Sequence, residues 1–328
     1  MKQSTRTRTG LLAVLLALTA CGGGGAGTSL PSTTSVATAS PGSSGTTATS
    51  STFSCPNAET SSGTLDCTKL PLGDLKFTTS GAKHGYIYLC NTPGGSPVVG
   101  SAPWLDTAAG TWDYTKKIAV QGSVSYPGTF SATRSGSTRT IVGNGEPVAP
   151  ETAGVFPISS SDPASQYDRN PNHIAAQNDD FTLPATPTAA ASPGCLSGGT
   201  IGITLTGVAI YDAFDAAGYD GVAHEIQDSC NGHPDQSSTY HMHGHLQQCV
   251  HDDGSATQNS SLLGYALDGY GIYGPWYNGK ILTSADLDAC HGITSPVMWD
   301  GQLVTIYHYV STYDFPYTLG CYHGTRVR

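Results

Sequence analysis

Basic residues are scarce in this chain. Lys and Arg number 14 against 24 Asp and Glu, and Lys2, Arg6 and Arg8 fall within the first 20 residues. Without residues 1–20 the balance is 11 against 24, a formal charge of −13. Little is left to displace counterions from phosphates, which argues against a nucleic-acid partner. The sign suits a metal ion or another cation better, although acidity alone mostly reports solubility.

Other absences narrow the chemistry. No apolar run approaches the ~20 residues that span a bilayer. There is no G-x-S-x-G, hence no nucleophile elbow, and no H-E-x-x-H, since AHEIQD at 223–228 lacks the second histidine. Without a C-x-x-C pair a thiolate zinc site is disfavoured. GYALDGYGIYG at 264–274 has no Lys or Ser/Thr in register for a phosphate loop and reads as two strands turning at Asp268-Gly269.

The chain begins with a positive segment followed by the short apolar run LLAVLLAL at 11–18, the pattern of a secretory signal over residues 1–20. LTAC at 18–21 resembles the bacterial lipobox. That resemblance implies that Cys21 is lipidated and becomes the mature N-terminus. Gly22, in place of the Asp that marks inner-membrane retention, implies an outer-membrane location in the cell envelope. Residues 22–54 carry no charge and are mostly Gly, Ser, Thr and Pro. Together with Cys21 they form a flexible tether with a reach of roughly 30 Å.

Residues 55–328 suffice for one large domain or two small ones. Eight cysteines remain, an even number suited to an oxidising compartment and up to four disulfides. Proximity favours Cys230–Cys249 and Cys290–Cys321, leaving Cys55, Cys67, Cys90 and Cys195 to pair among themselves. HGYIYLCN (84–91), KKIAVQGSVSY (116–126), TRTIVGNG (138–145), GTIGITLTGVAIY (199–211) and LVTIYHYVSTY (303–313) are strand-like runs punctuated by turn residues. A short helix is expected over 284–291, capped by Thr283 with Asp286 three residues on. The Pro/Ala-rich run at 183–194 reads as a long loop or as a seam between two β halves near 183–198. The expected fold is mainly β: a composite sandwich-like domain with many loops, one or two short helices and several disulfides.

Six of eleven histidines fall between 224 and 251, and His241, His243 and His245 alternate in TYHMHGH. In a strand, alternate residues share a face. Neutral imidazole is the commonest transition-metal ligand, and an i, i+2 pair can share one ion. His241 and His243 form the best pair, with His224, His233 or His308 completing the sphere. Glu225, Asp228 and Asp268, with Tyr240 and Tyr307, are candidates for orienting the rings or ligating beside them. The nitrogen-rich set points to copper or zinc. His84, His173 and His251 read as loop or surface residues.

GVAHEIQDSCNGHPDQSSTYHMHGHLQQC, SLLGYALDGYGIYGP, LDACHG and YHYVSTYDFPYTLGCYHG resemble the YHYH family of exported bacterial proteins. The motif stands here as Tyr240-His241-Met242-His243, and a later copy as Tyr307-His308-Tyr309-Val310. The resemblance places a site without naming its task. Three readings follow: a metal-capturing lipoprotein, anchored to the membrane by its lipid alone and with no protein partner implied; a metal-dependent hydrolase or oxidoreductase of the envelope; and a structural module in which the histidines only hold the scaffold. The first is the reading adopted from sequence.

Overall fold

A computed structural model describes residues 53–327; the expected signal, Cys21 and the expected tether up to residue 52 lie outside the described residues. The protein is mainly β. Its largest sheet comprises β1 (Gly202–Thr204), β2 (Ala209–Ile210), β3 (Gly232–Pro234), β4 (Tyr240–Met242), β5 (Leu262–Ala266), β6 (Gly271–Tyr273), β7 (Gly292–Trp299) and β8 (Gln302–Val310). A one-turn helix, α1 (Gly221–His224), lies between β2 and β3 in the chain. Across the sheet the order is β3-β4-β2-β1-β5-β6-β8-β7, with β2–β4 and β6–β8 parallel and every other pair antiparallel.

That order is a repeat folded back on itself. Gly202, Leu205, Gly207, Ile210 and Tyr211 recur as Gly264, Leu267, Gly269, Ile272 and Tyr273, and Asp228, Cys230, Gly232, Tyr240 and His241 recur as Asp288, Cys290, Gly292, Tyr307 and His308. The halves meet where β1 pairs with β5, centred on Ile203 opposite Tyr265. Glycine is needed at this seam: a Cβ on Gly202 would stand 2.8 Å from the Tyr265 carbonyl oxygen, and one on Gly264 would stand 2.5 Å from that of Ile203. Each half then closes a turn in the same way. Asp228 Oδ1 accepts the N–H groups of Cys230 and Gly232, and Asp288 Oδ1 those of Cys290 and Gly292. Asn231 and His291 hold the left-handed conformation between them, with φ of 60° and 70°.

Among the described residues the eight cysteines form four disulfides: Cys55–Cys67, Cys90–Cys195, Cys230–Cys249 and Cys290–Cys321. The last two brace equivalent turns of the two halves, while Cys90–Cys195 ties the early chain to the sheet. No helix of the described residues is long and apolar enough to cross a membrane.

Three local expectations differ. The run 183–194 is not a loop: Phe181–Pro184 pairs with Thr138–Gly143, and Ala189–Gly194 pairs with Tyr322–Gly324. At 284–291 only a 3-10 turn forms, Ser284–Asp286, with the expected Thr283/Asp286 capping box. The helix stops because Asp288 turns the chain through its bonds to Cys290 and Gly292. Within 116–126 no strand develops; only isolated bridges from Val120 to Asp228 and from Val124 to Ala153 appear.

Candidate metal centre

Two elements bring the imidazoles together. The β3–β4 hairpin sets His233 directly opposite His241, so both rings project from one face. His243 follows the end of β4 and keeps that face. Helix α1 is capped by Asp220, whose Oδ1 accepts from the Ala223 N–H at 3.3 Å while Oδ2 accepts from the Gly73 N–H at 2.9 Å and the Tyr317 hydroxyl at 2.8 Å. The chain leaves α1 extended at Glu225, and this carboxylate reaches the imidazoles.

Nε2 of His241 and Nε2 of His243 lie 3.1 Å apart. Oε2 of Glu225 stands 3.0 Å from His243 Nε2 and 3.4 Å from His233 Nε2. Ligating atoms of His233, His241 and His243 all fall within 4.8 Å of one another, and all three residues are buried. The outer nitrogens define the inner ones. Nδ1 of His241 bonds the Thr239 carbonyl at 3.1 Å, and Nδ1 of His243 bonds the Asp212 carbonyl. A carbonyl only accepts, so both Nδ1 atoms carry hydrogen and both Nε2 atoms of the neutral rings present lone pairs to each other. Such an arrangement requires a cation between them, either a proton or a metal ion. Beyond the 3.4 Å approach of Glu225, neither ring nitrogen of His233 has a hydrogen-bond partner, although the residue is 5% exposed.

Burial, then the charge of His243, pushes His241 well below the ordinary histidine range. Burial, then His241 and His243, does the same to His233. For His243 burial pulls downward, but the Glu225 carboxylate and the Asp212 carbonyl outweigh it and the net shift is upward. Without metal, the single proton of the cluster belongs on His243. Zn–N bonds of about 2.0–2.1 Å place tetrahedral ligand atoms about 3.3–3.4 Å apart, close to the 3.1 Å between His241 and His243, with His233 within 4.8 Å of both.

The histidines and Glu225 line one wall of a cavity of about 570 Å³. Tyr211, which also lines it, stacks on His241 with ring centroids 3.9 Å apart and donates its hydroxyl to Asp235.

Other candidates lie elsewhere. His224 spends both nitrogens, one on the Val99 carbonyl and one on Asp74 at 3.0 Å. His308 is separated from β4 by β2, β1, β5 and β6; it bonds the Ile306 carbonyl and packs against Tyr273. Asp228 accepts from the Gly154 N–H and the Tyr240 hydroxyl besides its turn amides, so it braces the hairpin and has no free lone pair for an ion. Asp268 similarly holds Tyr309 and the Gly324 N–H, and Tyr307 donates to Asp288. His245 leaves the row at φ 51°, but turns into an aromatic box of Tyr114, Tyr313 and Tyr317 rather than toward solvent. His84, His173 and His251 are exposed.

Residues 180–282 match the family model described as YHYH protein, so this part of the chain is similar to that family. The matched span holds His233, His241, His243 and Glu225 and ends before β7 and β8. No curated protein and no solved structure matches the chain.

Proposed function

We propose that this YHYH protein is an exported metal-binding protein whose His233, His241 and His243 hold one Zn(II) or Cu(II) ion at the wall of a cavity. The observation that carries the reading is the pair of Nε2 lone pairs facing at 3.1 Å, each fixed by a carbonyl on the ring's other side. Second-sphere carbonyls of this kind orient metal-ligating imidazoles. The nitrogen-rich donor set suits copper or zinc over calcium or magnesium. A signal at 1–20, a lipidated Cys21 and the tether that follows would hold the domain at the cell envelope, with capture of the ion as its task.

One observation favours turnover as a second reading. Three protein ligands leave a coordination position open, as in catalytic zinc sites, and here that position would face the cavity beside Glu225. A bound ion supplies Lewis acidity; Glu225 stands where it can accept a proton. Elemental analysis of the untagged chain purified from an envelope fraction tests the common premise. About one zinc or copper per chain is expected, and a metal-free protein that also fails to bind either ion on titration removes it.

A further inference from the structure

The cavity carries information beyond the histidines. Asp168, Asp212, Asp215, Glu225 and Asp235 all line it, and among the described residues no Lys or Arg does. Asp235 is satisfied by Tyr211 and by the amides of Ser237 and Thr239. Asp215 is not. Its Oδ1 accepts from Ala217 and Tyr219, but Oδ2 has no partner although the residue is only 5% exposed. A buried carboxylate oxygen without a donor is costly unless something supplies one. Burial, then the Glu225 charge, raises Asp168 to about 6, as expected of a carboxylate lacking a counter-charge.

A second metal ion does not answer this need. Among the described residues only His233, His241 and His243 form a convergent ligand group; the carboxylates are dispersed around the wall. The space is also far larger than an ion, and Pro93, Val98 and Phe214 give it apolar surface. Dispersed acids, apolar walls and the volume of a small-molecule site describe a pocket for an organic cation.

We infer that the cavity binds a small organic cation, an ammonium or guanidinium group on an apolar body, with its charge held at Asp215 and Asp168 and its other end toward the histidines. This deepens the metal reading of the same site and rests on it only for what lies at the inner end of the cavity. In the metal-free chain anionic ligands are disfavoured, since among the described residues no Lys or Arg lines the cavity.

Calorimetric titration of the mature chain, both zinc-loaded and chelator-treated, with phenethylammonium and agmatine tests the inference against 2-phenylethanol and 3-phenylpropanoate. The cations should bind at least about tenfold tighter than 2-phenylethanol in both forms, and tighter than 3-phenylpropanoate in the chelator-treated chain, where no ion can take the carboxylate. Asp215→Asn should remove about tenfold or more of that preference, and Asp168→Asn should reduce it if Asp215→Asn fails to fold. Equal binding of phenethylammonium and 2-phenylethanol, no binding of either cation, or an unchanged preference in the folded variants would overturn it. The two readings fail separately. Zinc binding without cation preference sinks this inference alone, whereas cation preference in a chain that takes no metal leaves it standing and sinks the metal.

Discussion

His308 holds in β8 the place that His241 holds in β4: each follows a tyrosine whose hydroxyl closes an aspartate-capped turn, Tyr307 on Asp288 and Tyr240 on Asp228. Their surroundings differ. His241 faces His233 across the hairpin and has His243 two residues on, whereas His308 faces Ile293 and has Val310. The scaffold is repeated while the donor set is not.

Metal binding should therefore follow one half only. His233→Ala, His241→Ala and His243→Ala should each weaken Zn(II) or Cu(II) binding by at least about tenfold, because each removes one of three ligands. His308→Ala and His224→Ala should leave affinity within about twofold. Protons compete for the same nitrogens, so wild-type affinity should also drop near pH 5. Titration of the five variants decides; equal affinity in all of them would leave the histidines as packing.

The alternation in TYHMHGH makes a shared face for His241 and His243 readable, and the turn and proline residues around it make a hairpin partner plausible. His245 escapes that logic. A Cβ on Gly244 would stand 2.6 Å from the Tyr317 side chain, and the left-handed His245 beyond it sends the ring into aromatic packing. Tertiary contacts, invisible to a period-two pattern, decide its direction. The same holds for His224, whose partner Asp74 is distant in sequence. The repeat can be read directly from Gly202–Tyr211 and Gly264–Tyr273. Its consequence, four strands between His241 and His308, depends on the sheet order. Nothing local marks Asp168, Asp212 and Asp215 as neighbours of one cavity.

Cys230–Cys249 closes a loop of sequence separation 19 that carries β3 and β4. Replacing both cysteines by alanine should cost about 3 kcal/mol in the chain-entropy view and should weaken metal binding, because the hairpin positions all three imidazoles. The double alanine variant at Cys55 and Cys67 should lower stability while leaving affinity unchanged. Denaturation and metal titration on both pairs check this; equal metal affinity in the two variants would show that the Cys230–Cys249 bond does not support the site.

The matched tyrosines should not cost the same. Tyr240 donates at 2.8 Å to Asp228, which is fully buried, so Tyr240→Phe leaves a buried carboxylate short of a donor. About 1.5–3 kcal/mol is expected. Tyr307 donates at 3.0 Å to the exposed Asp288, where water can replace the hydroxyl. Tyr307→Phe should cost about 0.5–1.5 kcal/mol. Denaturant midpoints for the two variants compare them, and a larger loss at Tyr307 would contradict the assignment.

Lys117 gives a pH signature independent of the histidines. Its side chain is fully buried, and Nζ donates to the Val222 carbonyl and to Gln227 Oε1. Burial lowers its pKa from 10.5 to about 7, against the opposing pull of Asp220 and Glu225. Between those values the unfolded chain holds a proton that the folded chain has released. Stability from this group is therefore full above about 10.5 and is lost as pH falls toward 7, at up to about 1.4 kcal/mol per pH unit. Lys117→Met has no such proton. In chelator-treated protein the stability of wild type relative to Lys117→Met should rise from pH 7 to pH 9, a window that ends before the tyrosines titrate. Chemical denaturation at pH 7, 8 and 9 reads the difference directly. A flat difference across the window would mean that the folded protein keeps Lys117 charged, and that its two acceptors together with Asp220 and Glu225 offset the desolvation in full.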